Sequence, residues 1–222
     1  MKKFIILTII SLTVCCLAQA QAQHKLEWGV KAAWNISYPV DATRAAYGVK
    51  AGIFGQLNLT RLWCLDAELR LSHKPWYSRN DNGLSWNQNV VQNIHKYTGN
   101  PFSLELPIHA GIRFNVSSQA RMFVAVGPYF GMGLFGKGKA TTIQKSQDGT
   151  VTKQTENYNI FGNNHYASER FEVGIDGALG IEIRNHYRIS AGYLFQFNDP
   201  EKRILCPVGR AQVFSIDFGY KF

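Results

Sequence analysis

The chain has 222 residues, 24 of them Lys or Arg against 15 Asp or Glu, giving a formal net charge of +9, and 45% are hydrophobic. That length suits one domain. The basic excess invites a nucleic-acid reading, but the charges are spread over strands, turns and loops rather than gathered in one stripe, so no nucleic-acid partner is expected.

In chain order, residues 1–22 read as a secretory signal. Lys2 and Lys3 form its charged start, Phe4 to Leu17 its apolar stretch, and Ala20-Gln21-Ala22 a small-x-small cleavage site. The apolar stretch is shorter than the roughly 20 residues of a spanning helix. Leu12-Thr13-Val14 before Cys15 lacks the small residues that precede a lipidated cysteine. The remainder, 23–222, reads as one β-barrel domain. It holds no apolar run long enough for a membrane helix, so a membrane form must close its sheet, because lipid cannot satisfy an open edge.

From Leu26 onward the chain alternates apolar and polar residues in eight runs, the signature of strands with two unlike faces. The first runs from Leu26 to Ser37, with Trp28, Val30 and Trp34 on one face and Glu27, Lys31 and Asn35 on the other. The second, Ala46 to Leu59, sets Tyr47, Val49 and Ile53 against Lys50 and Gln56. The third, Leu62 to His73, sets Trp63, Leu65 and Leu69 against Asp66, Glu68 and Arg70. A polar segment, 74–100, is expected to be a long loop. The fourth run, Pro101 to Phe114, opposes Leu104 and Ile108 to Glu105, His109 and Arg113. The fifth, Ala120 to Phe135, opposes Val124, Val126 and Phe130 to Ala125, Gly127 and Tyr129. The longest loop is expected over 136–170. The sixth run, Phe171 to Ile183, sets Val173 and Ile175 against Glu172, Asp176 and Glu182. The seventh covers Tyr187 to Phe197. The last carries Phe214, Ile216, Phe218, Tyr220 and Phe222 on one face.

Connections alternate between very short and long or irregular. Together with an even strand count, that points to an antiparallel eight-stranded transmembrane β-barrel with short periplasmic turns, longer extracellular loops and both termini periplasmic. Trp28, Trp63, Tyr187, Tyr220 and Phe222 fall near one end, and Tyr47, Phe130, Phe171 and Phe197 near the other, as two aromatic girdles. A water-soluble, lipocalin-like ligand carrier has the same periodicity but the opposite sidedness. The inward charges expected to pair with one another are Lys31, Lys50, Glu68, Arg70, Glu105, Arg113, Glu172 and Asp176. Cys64 and Cys206 are expected to be free thiols near opposite ends, since a disulfide needs Cα atoms within about 7 Å.

Catalytic and ligand motifs are sparse. Gly131 to Lys137 nearly spells a phosphate-binding loop, but Gly138 stands where Ser or Thr is required, and a flexible loop rather than a helix is expected to follow. No His, Cys or Asp lies at metal-ligand spacing. Ser72 and His73 are neighbours on a strand and point to opposite faces, so they cannot act as nucleophile and base. No catalytic site, cofactor or metal is expected. Aromatic and polar residues in 74–100 and 136–170 suit contact with an extracellular protein or glycan.

Gly29-Val30-Lys31-Ala32 with Asn35, Ala67-Glu68-Leu69, Leu104-Glu105-Leu106-Pro107, Gly127-Pro128-Tyr129 and Phe218-Gly219-Tyr220-Lys221-Phe222 stand in an order that resembles the small outer-membrane barrels of the Gram-negative Bacteroidota, the porin-family or PorT-like proteins. The resemblance spans the mature chain. It implies an outer-membrane location amid lipid and lipopolysaccharide. It also implies that the barrel-assembly machinery reads the C-terminal strand through Phe218, Tyr220 and Phe222. The expected role is non-enzymatic: envelope structure, surface binding or support of protein secretion. A lipid-modifying barrel enzyme is the alternative.

Overall fold

The computed structural model describes residues 26–40, 42–82, 90–161, 168–199 and 209–222. The signal over 1–22, Cys206 and the loop histidine His165 lie outside them. Ten strands follow one another: β1 (Leu26–Ser37), β2 (Ala46–Asn58), β3 (Trp63–His73), β4 (Trp76–Asn82), β5 (Val90–Asn115), β6 (Ala120–Ser146), β7 (Val151–Asn159), β8 (Phe171–Ile183), β9 (Tyr187–Gln196) and β10 (Gln212–Lys221).

Eight of them close a ring in the order β1-β2-β3-β5-β6-β8-β9-β10, with β10 pairing back to β1, and every pairing is antiparallel. Each ring strand has a neighbour on both sides, so the ring presents no free edge. β4 and β7 stand outside it. They pair with the stretches of β5 and β6 that run on past the ring, 26 and 27 residues long in all.

Those extensions correct the sequence reading. The segments 74–100 and 136–170 were expected to be loops, and much of each is strand. The reason is physical. Beyond the ring only a small apolar cluster around Ala140, Tyr158 and Ile160 is buried, on one face, so apolar and polar residues no longer alternate along whole strands and the period-two signal fades. The Thr-rich sequence around Thr141, Thr142, Thr152 and Thr155 nonetheless keeps its preference for extended backbone. The glycine-rich stretch at Gly131 to Gly138 likewise enters no flexible loop. It lies within β6, paired to β5 on one side and to β8 and then β7 on the other.

Three short turns sit at one end of the ring. Thr60 Oγ1 accepts from the backbone N–H of Leu62 and Trp63, and Ser117 Oγ accepts from Gln119 N–H. Arg184 and Asn185 both adopt left-handed backbone, φ 51° and 60°, as the central pair of a tight turn that His186 N–H closes by donating to Ile183 O at 3.2 Å. Far along β6 and β7, the Asp148 carboxylate accepts the Thr150 N–H at 2.9 Å. That bond holds the carboxyl below its usual range.

Side chains divide sharply across the wall. Val124 and Val126 are 47% and 50% exposed, whereas Phe123 and Ala125, which alternate with them, are at 2%. On β3, Leu65, Leu69 and Leu71 face out while Asp66, Glu68, Arg70 and Ser72 are buried inside. A carrier with an apolar lumen and a charged exterior has the reverse arrangement. Trp28, Trp63, Tyr187, Tyr220 and Phe222 point outward at the short-turn end, and Tyr47, Phe102, Phe135, Phe171 and Phe197 at the other, Phe102 stacking on Phe135 at 4.9 Å.

Left-handed backbone suits Asn and Gly far better than Arg. Replacing Arg184-Asn185 by Asn-Gly is therefore expected to stabilise the fold by about 1 kcal/mol, measured as a higher denaturant midpoint in lipid vesicles.

Candidate functional site: a charged lumen

Inward-facing residues stack in tiers along the ring. At the short-turn end, Lys221 Nζ lies 2.7 Å from both Glu182 Oε1 and Glu27 Oε2 and donates to Gln56 Oε1 at 3.3 Å. Arg113 Nη1 reaches the same amide oxygen at 3.4 Å. The next tier holds Arg188, whose Nη2 donates to Asp66 Oδ2 at 2.6 Å. Its guanidinium lies between two rings, 3.9 Å from the Phe123 centroid and 5.5 Å from that of Phe54. The planar cation thus receives ring faces where it lacks oxygen partners.

Arg70 is the centre of the middle tier. Its Nε donates to Glu105 Oε2 at 2.6 Å, Nη2 to Asp176 Oδ2 at 2.6 Å, and Nη1 to Glu68 Oε2 at 3.4 Å. Glu68 also pairs with Lys31, and Asp176 Oδ1 contacts His109 Nε2 at 3.0 Å. Above, Lys74 pairs with Glu105 at 3.1 Å and with Glu172, and donates to the Tyr129 hydroxyl at 3.0 Å. Tyr129 in turn donates to Glu172, which also accepts from Ser103 Oγ at 3.0 Å.

These bonds cross the lumen rather than line it. In the ring of eight, β3 and β9 are four places apart, so Arg188 and Asp66 join opposite walls. Arg70 joins β3 to β8, three places away. Beside Lys31, Lys50, Glu68, Arg70 and Asp217 remains a void of ≈ 10 Å³, about enough for one water. At the mouth, over Lys74 and Glu172, the space narrows to a pocket of ≈ 50 Å³ walled by Trp76, Ile160 and Phe161.

Of the inward charges singled out in the sequence, the structure brings Lys31, Glu68, Arg70, Glu105, Glu172 and Asp176 together. Arg113 is buried in the lower tier against Gln56 without an ion pair among the described residues. Lys50, 4% exposed, has no ion pair among them either. Asp217, facing its void, accepts from Ser215 Oγ at 3.1 Å. The ionisable members not singled out are Glu27, Asp66, Lys74, His109, Tyr129, Glu182, Arg188, Asp217 and Lys221. All but Lys74 were visible as inward members of their strands. Lys74 continues the even-numbered inward series of β3, and Pro75 after it hid that continuation.

Elsewhere, Ser72 is buried in the wall while His73 stacks outside on Phe102 at 4.6 Å. Cys64 is a buried free thiol. No group of three His, Cys, Asp or Glu among the described residues is placed to hold a metal ion. Phe218, Tyr220 and Phe222 line the outer face of β10, Tyr220 lying edge-on to Tyr187 and to Phe222 at 5.6 Å each.

Residues 18–200 match the family described as outer membrane protein beta-barrel domain. Among solved structures, the chain is similar to Ail, the attachment invasion locus protein of Yersinia pestis, at 12% identity over 89% of this chain and 97% of that one, TM-score 0.37. It is similar to Neisserial surface protein A at 10% identity over 89% and 97%, TM-score 0.38. The N-terminal β-barrel domain of Pseudomonas aeruginosa OprF is 12% identical over 87% and 97%, TM-score 0.32. No curated protein matches the chain.

Removing one member of a buried ion-pair cluster leaves its partners charged and unpaired, at about 3–5 kcal/mol. Arg70→Met is expected to lower unfolding stability in lipid vesicles by about that much. Arg79→Met, which removes an exposed partner of Asp81, is expected to leave it unchanged.

Proposed function

The chain belongs to the outer membrane protein beta-barrel family, and from that premise we propose a non-enzymatic outer-membrane protein with a filled interior, acting in envelope structure, surface binding or support of protein secretion. In this reading the eight ring strands span the bilayer. The short turns and both termini face the periplasm, and the β4–β5 and β6–β7 hairpins rise outside the cell. The residues 1–22 serve as the export signal. The barrel-assembly machinery engages β10 through Phe218, Tyr220 and Phe222. The narrower kinship with PorT-like barrels of Bacteroidota rests on the spaced motifs from Gly29-Val30-Lys31-Ala32 to Phe218-Gly219-Tyr220-Lys221-Phe222.

One observation carries the filled interior: ion pairs that cross the ring, Arg188 to Asp66 four strands apart and Arg70 to Asp176 three apart. A ring of this size has room for side chains and little else. A diffusion channel would require those bonds to part. The same interior supports a role exercised at the surface, because the lumen is occupied by paired side chains, with Ser72 and His109 both buried.

The test is direct. Planar-bilayer recordings of the purified mature chain are expected to show no large, steady conductance, and a stable open level would overturn the filled interior. Mass spectrometry of lipid A from cells with and without the gene is expected to give identical profiles, and a changed profile would overturn the non-enzymatic assignment.

A further inference from the structure

Beyond the outer aromatic band, β4, β5, β6 and β7 form a four-stranded sheet whose two faces differ in charge. One extra residue, Leu134, sets which face is which. Below it, Met132 pairs with Leu104 and even-numbered β6 residues look outward; above it, Phe135 pairs with Phe102 and odd-numbered ones do. Lys137, Lys139 and Lys145 therefore continue the outward face, as does Thr141, whose hydroxyl meets that of Thr155 on β7 at 3.3 Å. The register adds Lys153 on β7, Lys96 on β5 and Arg79 on β4 to the same face.

The opposite face is different in kind. Ala140, Tyr158 and Ile160 pack with Tyr97 and Phe161, and His95 contacts the Thr142 hydroxyl at 3.2 Å. Glu156 also belongs to that side, opposite Ala140. On the basic face the one described acid is Asp81, already held by Arg79 through two contacts of 2.9 Å. Like charges gathered on one sheet face repel unless something outside the chain supplies the opposite sign. No stripe is visible along the chain, because its members are scattered over 75 positions and only pairing brings them side by side.

Height decides what supplies that sign. Strands rise about 3.3–3.4 Å per residue, so Lys137 and Lys139 lie about 7 and 13 Å along β6 from Phe135. The headgroup layer outside the hydrocarbon is about 5–8 Å thick on each side. The face also continues the lipid-facing wall, turned sideways along the membrane rather than up into solution. We propose that the foot of this outward face binds the phosphate groups of outer-leaflet lipid headgroups through Lys137, with Lys139 reaching down from one residue pair above. Lys96, paired with Thr141 about 20 Å along β6 from Phe135, stands too high to take part. This deepens the membrane placement proposed above and rests on it.

The test uses the full mature chain in detergent micelles, titrated separately with bisphosphorylated lipid A, dephosphorylated lipid A and a heparin oligosaccharide, with bound adducts counted by native mass spectrometry. The chain is expected to prefer the bisphosphorylated lipid. The double variant Lys137→Gln, Lys139→Gln is expected to lose about 25-fold in affinity, at about fivefold per lysine, whereas Lys96→Gln, higher on the same face, is expected to bind as the wild type does. Glu156→Gln, on the other face, is expected to bind as the wild type does. Equal binding of the dephosphorylated lipid, or an unaffected double variant that remains folded by circular dichroism, would overturn the proposal. Heparin binding without preference for lipid phosphate would assign the face to a soluble glycan and overturn it too. Insertion into phosphatidylcholine vesicles is read separately by protease protection. Failure there removes the membrane placement and the proposal together, whereas insertion without phosphate preference removes the proposal alone.

Discussion

A guanidinium withdrawn from water must find oxygen acceptors for its fixed fork of N–H groups, and Arg70 finds three carboxylates on three strands. The rest of the interior is arranged around that demand. Glu105 and Asp176, each shared with a second cation or His109, are held in place by their other partners. Glu68 is likewise shared with Lys31. The wall therefore carries its apolar side chains outward and gathers its ionised ones at the axis, and the buried apolar clusters, such as Tyr129 with Leu194 and Val213, stay small. A cluster of this kind is poor at adding net stability, but it is exacting about geometry. A one-residue slip between any two strands would turn a carboxylate out of the lumen and a leucine into it.

Closure and height are separate features of the same sheet. The ring ends where β5 and β6 leave their ring neighbours β3 and β8, near His73 and Phe171. Beyond that height they keep each other and recruit β4 and β7 as outer partners. Arg170 secures the departure point, donating to the Gly133 and Leu134 carbonyls at 2.9 and 2.8 Å and stacking over Phe161. At the edge of β4, Arg44 lies over the Tyr77 ring, with its residue bridged to that strand. Lumen chemistry and surface chemistry are thus carried by the same long strands, β5 and β6, at different heights.

The ring was legible in the sequence because each of its strands has one face in an apolar setting and one in a polar one. That contrast puts Leu65, Leu69 and Leu71 on one side and Asp66, Glu68 and Arg70 on the other, and it located β1, β3 and β8 to within a residue. It faded beyond the ring, where one face is basic and the other buries only a few apolar residues around Ile160, so the upper parts of β5 and β6 and all of β4 and β7 read as loop. Partner choice in the lumen was only half legible. Parity tells that Lys50 and Arg70 both look inward, but not that Arg70 meets three carboxylates while Lys50 meets none at bonding distance. That depends on which strands face one another across the ring, and no local pattern records it. Lys74 was lost behind Pro75, and the basic outer face was lost because its members come from four strands.

Leu134 has a reach far beyond its own position. As the single unpaired residue between Gly133 and Phe135, it shifts the phase of everything that follows it on β6 by half a pleat. Deleting it would turn the hairpin inside out: Gly136, Gly138 and Ala140 would come to the membrane side, and Lys137 and Lys139 would be driven in among Tyr97, Tyr158 and Ile160. One aliphatic residue thus acts as a switch of parity, letting a strand that starts as a greasy wall continue as a charged one without a loop to break it.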